Sequence, residues 1–462
     1  MGRCNASTMS ATSVALNRFG LGARPNEPVP ADPRQWLLDQ MGRYEVLPAA
    51  WAALPRTPAL VDAYQAQQRM VRDAGEGQRQ AARQAFRRDA REEYVAAAGA
   101  RVASALQTQT PFVERLVHFW SNHFAVSVDK AVVVGLAGAF EADAIRPHVL
   151  GRFQDMLLAV ARHPAMLLFL DQANSIGPNS MGGRRAAERD AERRRGLNEN
   201  LAREILELHT LGVRSGYTQA DVTEFARALT GWSLPAPGDG TAGGAFRFRP
   251  QVHEPGTRTV LGRSYAQQGE AQALAILHDL AHAPATARHI ATKLARHFVA
   301  DEPPAALVQR LADAFQRSGG DLPAVYRVLV TAPEAWQARQ AKFKSPWEWS
   351  VSALRGLGRN EVPPMQAVAL QQQLGQPVWR PGSPAGFDDV AATWAAPDAL
   401  LRRVEVAQRI ASQVGDAVDA RTLAPRLLPG VLSDATATAI ARAESPGSGL
   451  ALLLVAPEFL RR

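Results

Sequence analysis

Pro111-Phe-Val-Glu-Arg-Leu-Val-His-Phe-Trp-Ser-Asn-His-Phe124 is the stretch that decides the fold. Phe112, Leu116, Phe119, Trp120 and Phe124 recur at helical spacing, and Pro111 suits a first turn, where a missing N–H costs nothing. The pattern predicts a strongly apolar helix through Phe124, with His123 in the middle of its stripe and His118 on a polar edge beside Glu114 and Asn122. Helical periodicity continues on both sides. Residues 33–43 carry Trp36, Leu37, Leu38 and Met41 at helical spacing, and 58–109 read as a long charged helical arm with Gly75–Gly77 as its candidate break. Further helices are expected at 131–145, 153–162 and 184–211, the last stopped by Gly212. Thr218, with Asp221 three residues on, caps the next one, which runs to Gly231. Others follow at 268–281, 285–299, 303–317 and 322–331, and onward to the C-terminus.

Two stretches break the pattern. Between residues 232 and 265 the chain turns Gly/Pro-rich, with alternation in Phe246-Arg-Phe-Arg and Thr259-Val-Leu, which reads as a hairpin insert. Asp171–Gly183 and Gly375–Ala396 have loop composition. The expected fold is therefore mainly α: a large multi-helical domain with a small β-hairpin or irregular insert near 232–265. By segment it divides into an N-terminal part (1–57), the arm (58–109), a helical core (110–231), the insert (232–265) and a C-terminal helical block (266–462). Leu329-Val-Thr-Ala-Pro-Glu and Leu453-Leu-Val-Ala-Pro-Glu, with a looser version at Val160-Ala-Arg-His-Pro-Ala, read as helix–Pro–helix punctuation, or as traces of a duplicated unit.

Composition removes several function classes. With 462 residues and 46% hydrophobic content, the chain has ample material for a core, so extended disorder is excluded. No apolar run approaches the roughly 20 residues a membrane helix needs, and no membrane insertion is expected. No secretory h-region follows Met1, which places the chain in the cytoplasm, or in the periplasm if a targeting segment is missing from this sequence. The 52 basic residues exceed the 44 acidic ones, but 48 of them are Arg, many alternating with acids. That suggests GC-rich codon usage over ion-paired helix faces, and no nucleic-acid partner is expected. Cys4, the single cysteine, excludes an internal disulfide and lies in a terminus expected to fray. No Gly-x-Gly-x-x-Gly, Walker A or Gly-x-Ser-x-Gly motif stands in a strand–turn–helix context.

His118-Phe-Trp-Ser-Asn-His-Phe-Ala-Val-Ser and Asn198-Glu-Asn-Leu-Ala-Arg-Glu-Ile-Leu-Glu-Leu-His-Thr-Leu-Gly-Val are long motifs. With Gly216-Tyr-Thr-Gln-Ala-Asp-Val-Thr-Glu, Ala226-Arg-Ala-Leu-Thr-Gly-Trp, Lys293-Leu-Ala-Arg-His-Phe-Val, Asn17-Arg-Phe-Gly-Leu-Gly and Leu374-Gly-Gln-Pro, they resemble the bacterial family called domain of unknown function 1800, over nearly the whole chain. The resemblance implies no activity. It does imply a neighbour, because members are often encoded beside a sulfatase- or phosphatase-like protein. The chain departs from the family pattern at Ala385-Gly386-Phe387, where Lys-Gly-Trp is expected, and in an Arg-rich insert at 184–195.

Candidate site residues come from the residues themselves. On a regular helix Asn200, Glu204 and Glu207 fall within roughly 60° of one another, with Arg203 beside them. Two carboxylates and an amide so placed bind a cation, hold a hydroxyl, or serve as acid and base. Equally, they form an exposed pair with an Arg203–Glu207 contact. Asn198 and His209 occupy a different sector, so His209 must point into neighbouring packing. His118 and His123 lie about 140° apart and are no joint metal pair. If His123 and His209 face one another from adjacent helices, with Asn198 near, they form a polar site in an apolar core; otherwise each is a satisfied core histidine. His253-Glu254 on the insert, and Asn174, Ser175, Asn179 and Ser180 in the Asp171–Ser180 loop, are further candidates for ligand contacts. Two functions follow. One is an envelope-related enzyme acting on a polar carbohydrate or a sulfated or phosphorylated substrate, by acid–base work of Glu204 or Glu207 with or without a divalent metal, His123 and His209 assisting. The other is a non-catalytic helical scaffold or accessory partner of the sulfatase- or phosphatase-like neighbour. Replacing His123 or His209 by Ala is expected to weaken ligand binding or activity while the chain still folds; a loss of folding alone supports the structural role.

Overall fold

The computed structural model describes residues 11–189, 196–236, 239, 244–337 and 340–462; Cys4 and part of the Arg-rich insert lie outside these. The protein is mainly helical, with two small antiparallel two-stranded sheets. The Pro111–His123 helix is its axis. Every residue of it except Asn122 is buried, including Glu114 and His118 of the expected polar edge. Its apolar side meets a cluster of rings: Phe112 lies 5.7 Å from Phe19 and 5.8 Å from Phe298, and Trp120 packs on Phe124 and Phe153. Trp120 Nε1 donates to the Tyr326 hydroxyl, which donates to the Val149 carbonyl. The ring N–H and hydroxyl thus keep partners while their apolar bodies fill the core.

The polar edge is buried because its charges are answered inside the molecule. Glu114 takes a two-pronged contact from Arg146 and lies 3.6 Å from His118 Nε2. Glu141 accepts from Ser121 and Trp379 and pairs with Arg101, which lies over the rings of Trp347 and Trp379. Arg115 reaches the Gly20 carbonyl and ion-pairs with Glu348. Glu348 belongs to the Pro346–Gly356 helix and forms a capping box with Ser345. Its carboxylate also receives Arg462, at 3.0 and 2.9 Å.

The arm is two helices, Thr57–Asp73 and Glu76–Gln107, that pack on each other with Tyr64 against Phe86. The break falls at Ala74–Gly75. The later half of the second helix is buried, so this is no solvated spacer. A second apolar cluster joins the C-terminal helices to Leu16 and Ala23 near the start of the chain. All three aliphatic–Pro repeats end one helix and begin another, at His163-Pro164, Ala332-Pro333 and Ala456-Pro457.

Two expectations need correcting, and the expected hairpin insert is present in finer detail. Residues 131–145 do not form one helix: 3-10 turns and a π segment, Glu141–Ile145, flank the single turn Ala137–Phe140. The expected 184–211 helix is instead Met181–Arg189 and then, after residues 190–195, which lie outside the described ones, and an irregular stretch at 196–199, Asn200–Glu204. That helix widens into a π turn, Ile205–Thr210, in which Leu211 N–H and the Thr210 hydroxyl reach the carbonyls five residues back. The insert holds two strand pairs rather than one hairpin. Trp232–Ser233 pairs with Arg247–Phe248, and Arg258–Val260 turns through Leu261-Gly262, both at positive φ, to Arg263–Tyr265. Leu261 N–H donates to Asp221, which holds the turn against the helix Gln219–Leu229.

Glu348→Ala is expected to lower unfolding free energy by about 3–5 kcal/mol in urea titrations, because Arg115 is left buried without a carboxylate and Arg462 keeps only Asp389, at 3.9 Å. A loss below about 1 kcal/mol would place this carboxylate among ordinary surface pairs.

Candidate functional site

The C-terminal end of the axial helix, the Pro284–Phe298 helix, the start of the Pro346–Gly356 helix and the irregular segment after Leu374 meet around a cavity of about 280 Å³. Phe119, Trp347, Trp379 and Phe387 form its apolar walls, and Asn122, His123, Lys293, Arg296, His297 and Asp389 are among its polar groups. Asn122 holds one wall by itself. Its Nδ2 donates to the Phe387 carbonyl at 2.9 Å and its Oδ1 accepts from Phe387 N–H at 2.7 Å. Gly386 has φ +82° and presses on Asn122 so closely that an added Cβ would stand 2.2 Å from the Asn122 carbonyl. The Ala385-Gly386-Phe387 departure therefore sits in the cavity wall.

His289, Lys293 and His297 recur every four residues along the Pro284–Phe298 helix, so they share one face. His297 Nδ1 donates to Asp389 at 2.6 Å; an ionised carboxylate only accepts, which fixes this tautomer and leaves Nε2 as an acceptor without a hydrogen bond, 4.0 Å from Glu348. Burial works to raise the Asp389 carboxyl, but His297, Lys342 and Arg462 outweigh it and hold it well below the usual range. Lys293 has neither a hydrogen bond nor an ion pair among the described residues. Desolvation, with help from Arg296, lowers it to about 8 against the opposing pull of Asp389.

Behind this face lies a histidine cluster. His123 is 6.3 Å from His209 and 6.0 Å from His289, between ring centroids. Both rings meet the end of the π turn, where the helix stops and its last carbonyls have no partner within it: Leu208 accepts from His289 Nε2 at 3.0 Å and His209 from His123 Nε2 at 3.2 Å. His123 Nδ1 and both nitrogens of His209 are buried with no partner among the described residues. Burial, reinforced by Lys293, pushes His123 well below its ordinary value and His209 to about 3, and burial pushes His289 to about 4.

The structure thus brings His118, Asn122 and His123 to the cavity and His209 against His123, and leaves the other sequence candidates elsewhere. Glu204 and Glu207 do not line it. Glu204 is half-buried and raised by burial and by Glu207, while Glu207 accepts from the Tyr217 hydroxyl at 2.8 Å. Arg203 pairs with Glu199, not with Glu207. Asn198 does not reach His209. Its Nδ2 donates to the Asp171 carbonyl, and its Oδ1 accepts from N–H of the exposed Asn200. Asn174 is exposed, and His253 donates to the Thr230 carbonyl and packs on Phe248. Glu254 accepts from Asn179 twice, so the insert's His-Glu pair latches two loops together. Lys293, His297, Asp389, His289 and Glu348 were not among the sequence candidates. The available signal was the i, i+4 spacing of His289, Lys293 and His297 on an otherwise apolar helix face. Among the described residues, no group of three or more His, Cys, Asp or Glu side chains is arranged to hold a metal ion, and no helix is long and apolar enough to cross a membrane.

Fold and cavity together define a mainly helical protein with a polar pocket set in an aromatic core. A family model described as Protein of unknown function (DUF1800) matches residues 14–461, and the chain belongs to that family. Comparison with curated proteins and with solved structures returns no match.

Folding holds His209 neutral, whereas the unfolded chain protonates it near pH 6.5. Its contribution is therefore complete above that pH and drains away as pH falls toward about 3. Between pH 7 and 5, wild type is expected to lose about 2 kcal/mol more than His209→Asn in urea unfolding. Equal losses would contradict a neutral buried ring.

Proposed function

We propose that the cavity binds a small polar molecule carrying an anionic group, of the carboxylate, phosphate or sulfate class, and moves a proton on it. One observation carries this reading: Lys293 lines the cavity with no counter-ion bonded to it. Arg296 also lines it, its Nε donating only to the Asp301 carbonyl, so two cations stand ready for an anion. The remaining lining charges are occupied, Arg101 by Glu141 and Arg115 by Glu348. Asp389 orients His297 as a carboxylate orients an imidazole base, and the aromatic walls strengthen each charge interaction by excluding water. A sulfated or phosphorylated substrate suits this pocket through its anionic group, without a part for Glu204 or Glu207.

Sulfate is the cleanest probe, because its own charge is constant over the range of interest. By isothermal titration calorimetry it is expected to bind with an affinity that is level up to about pH 8 and falls about tenfold per unit above, as Lys293 loses its proton. Lys293→Met should weaken it at least about tenfold. Failure of the wild-type protein to bind sulfate, phosphate and acetate alike overturns the reading and favours a scaffold in which the buried charges only lock helices together.

A further inference from the structure

Four lysines occur in the whole chain, all within the described residues, and the structure gives them four different environments. Lys130 is partly exposed and tied to Asp171 at 2.6 Å and to the Phe169 carbonyl. Lys342 is buried between Asp301 and Asp389, at 2.6 and 3.2 Å. The Lys344 amine has no hydrogen bond, but it is fully buried over the Phe459 ring and does not line this cavity. Lys293 alone combines an unpaired amine with an opening to a cavity.

An amine so placed is equipped for more than holding an anion. We infer that Lys293 is a nucleophile that forms a Schiff base with an aldehyde or ketone ligand bearing an anionic group. The inference rests on the cavity being a ligand site, as proposed above. The Nζ lone pair forms a bond to the carbonyl carbon, and the C=O π electrons move to oxygen, which takes up a proton. The new ammonium gives that proton, relayed by His123, whose Nδ1 is an acceptor without a partner. The nitrogen lone pair then closes the C=N bond as the C–O bond breaks, and the hydroxyl leaves as water with the nitrogen's remaining proton, relayed the same way. One amine and one carbonyl become one imine and one water, with no oxidant or reductant. The walls of Phe119, Trp347, Trp379 and Phe387 favour this dehydration by keeping bulk water out, and Arg296 supplies the charge for the ligand's anionic end.

The groups around the amine set its reactivity. His123 comes from the axial helix, His209 from the π turn, His289, Arg296 and His297 from its own helix, and Asp389 from the irregular segment. The three histidines of the cluster are held neutral, so they bring little competing charge, and the lysine's fall to about 8 leaves a sizeable neutral fraction near neutrality.

The experiment uses the full chain, glyoxylate as the carbonyl probe and sodium borohydride to reduce any imine to a stable secondary amine, with peptide mass spectrometry to locate it. Lys293 is expected to be modified at least about tenfold faster than Lys130 at pH 7.5, because an ordinary lysine near 10.4 is about a hundredfold less neutral there. The initial rate should rise with pH and level off above about 8. Lys293→Met should remove the adduct while Lys344→Met keeps it, and sulfate should slow labelling of the wild-type protein. Modification of Lys130 at the same rate, or no Lys293 adduct in a protein that binds sulfate, overturns the nucleophile and leaves the anion site standing. Neither sulfate binding nor adduct overturns both. Because wild type carries the rate comparison and the sulfate protection, a misfolded Lys293→Met does not blunt the test.

Discussion

A single carboxylate, Glu348, organises much of this molecule. Taking it out of water is expensive, and the protein meets that cost with two guanidinium groups and the N–H of Ser345 at a helix start. Its partners come from distant parts of the chain. Arg115 sits on the axial helix and holds the Gly20 carbonyl, while Arg462 also donates to the His297 carbonyl. N-terminal segment, axial helix, cavity helix and C-terminal strand-like tail are therefore tied at one point. Burial alone would raise the carboxyl, but Arg462 and Arg115 keep it ionised far below the usual range.

That arrangement explains why the cavity is polar without collapsing. Helix ends and one irregular segment converge there, and apolar side chains alone do not satisfy the backbone groups that such endings leave open. Asn122 answers both backbone groups of Phe387, and Lys342 answers the Asp389 carbonyl. With these contacts made, Lys293, His123 Nδ1 and His297 Nε2 are among the polar groups that packing does not consume. The pocket's chemistry is what remains after the structural needs of the junction are met.

Much of the fold was legible in the sequence because it depends on local rules. Proline marked helix starts at Pro111, Pro164, Pro333 and Pro457, the Thr218–Asp221 box formed as expected, and the apolar stripe around Trp120 became the core. The burial of the polar edge was not legible, since Glu114 looks solvated until Arg146 arrives from another element. The site was harder still. Counting 100° per residue through Glu204–His209 assumes a regular helix, and the π turn breaks that count. The facing of His123 and His209 was a conditional reading with Asn198 near; the two rings stand 6.3 Å apart, and Asn198 bonds to Asp171 and Asn200 instead. Lys293, His297 and Asp389 did not emerge, because their meaning lies in which charges lack partners, and pairing across 90 residues is not written in spacing.

The π turn at Ile205–Thr210 has a consequence for how this chain tolerates changes of length. It accommodates one residue more than an α turn of the same rise, so it behaves as an insertion absorbed inside a helix rather than in a loop. Deleting one residue there would restore a continuous α ladder and rotate everything after it by about 100° relative to Leu201 and Ala202. His209 would swing away from His123, and the Leu208 and His209 carbonyls would turn away from the histidines with it. Loops elsewhere in the molecule absorb a change of one residue by bowing outward. This segment has only two registers, and only the longer one presents its carbonyls to the histidines.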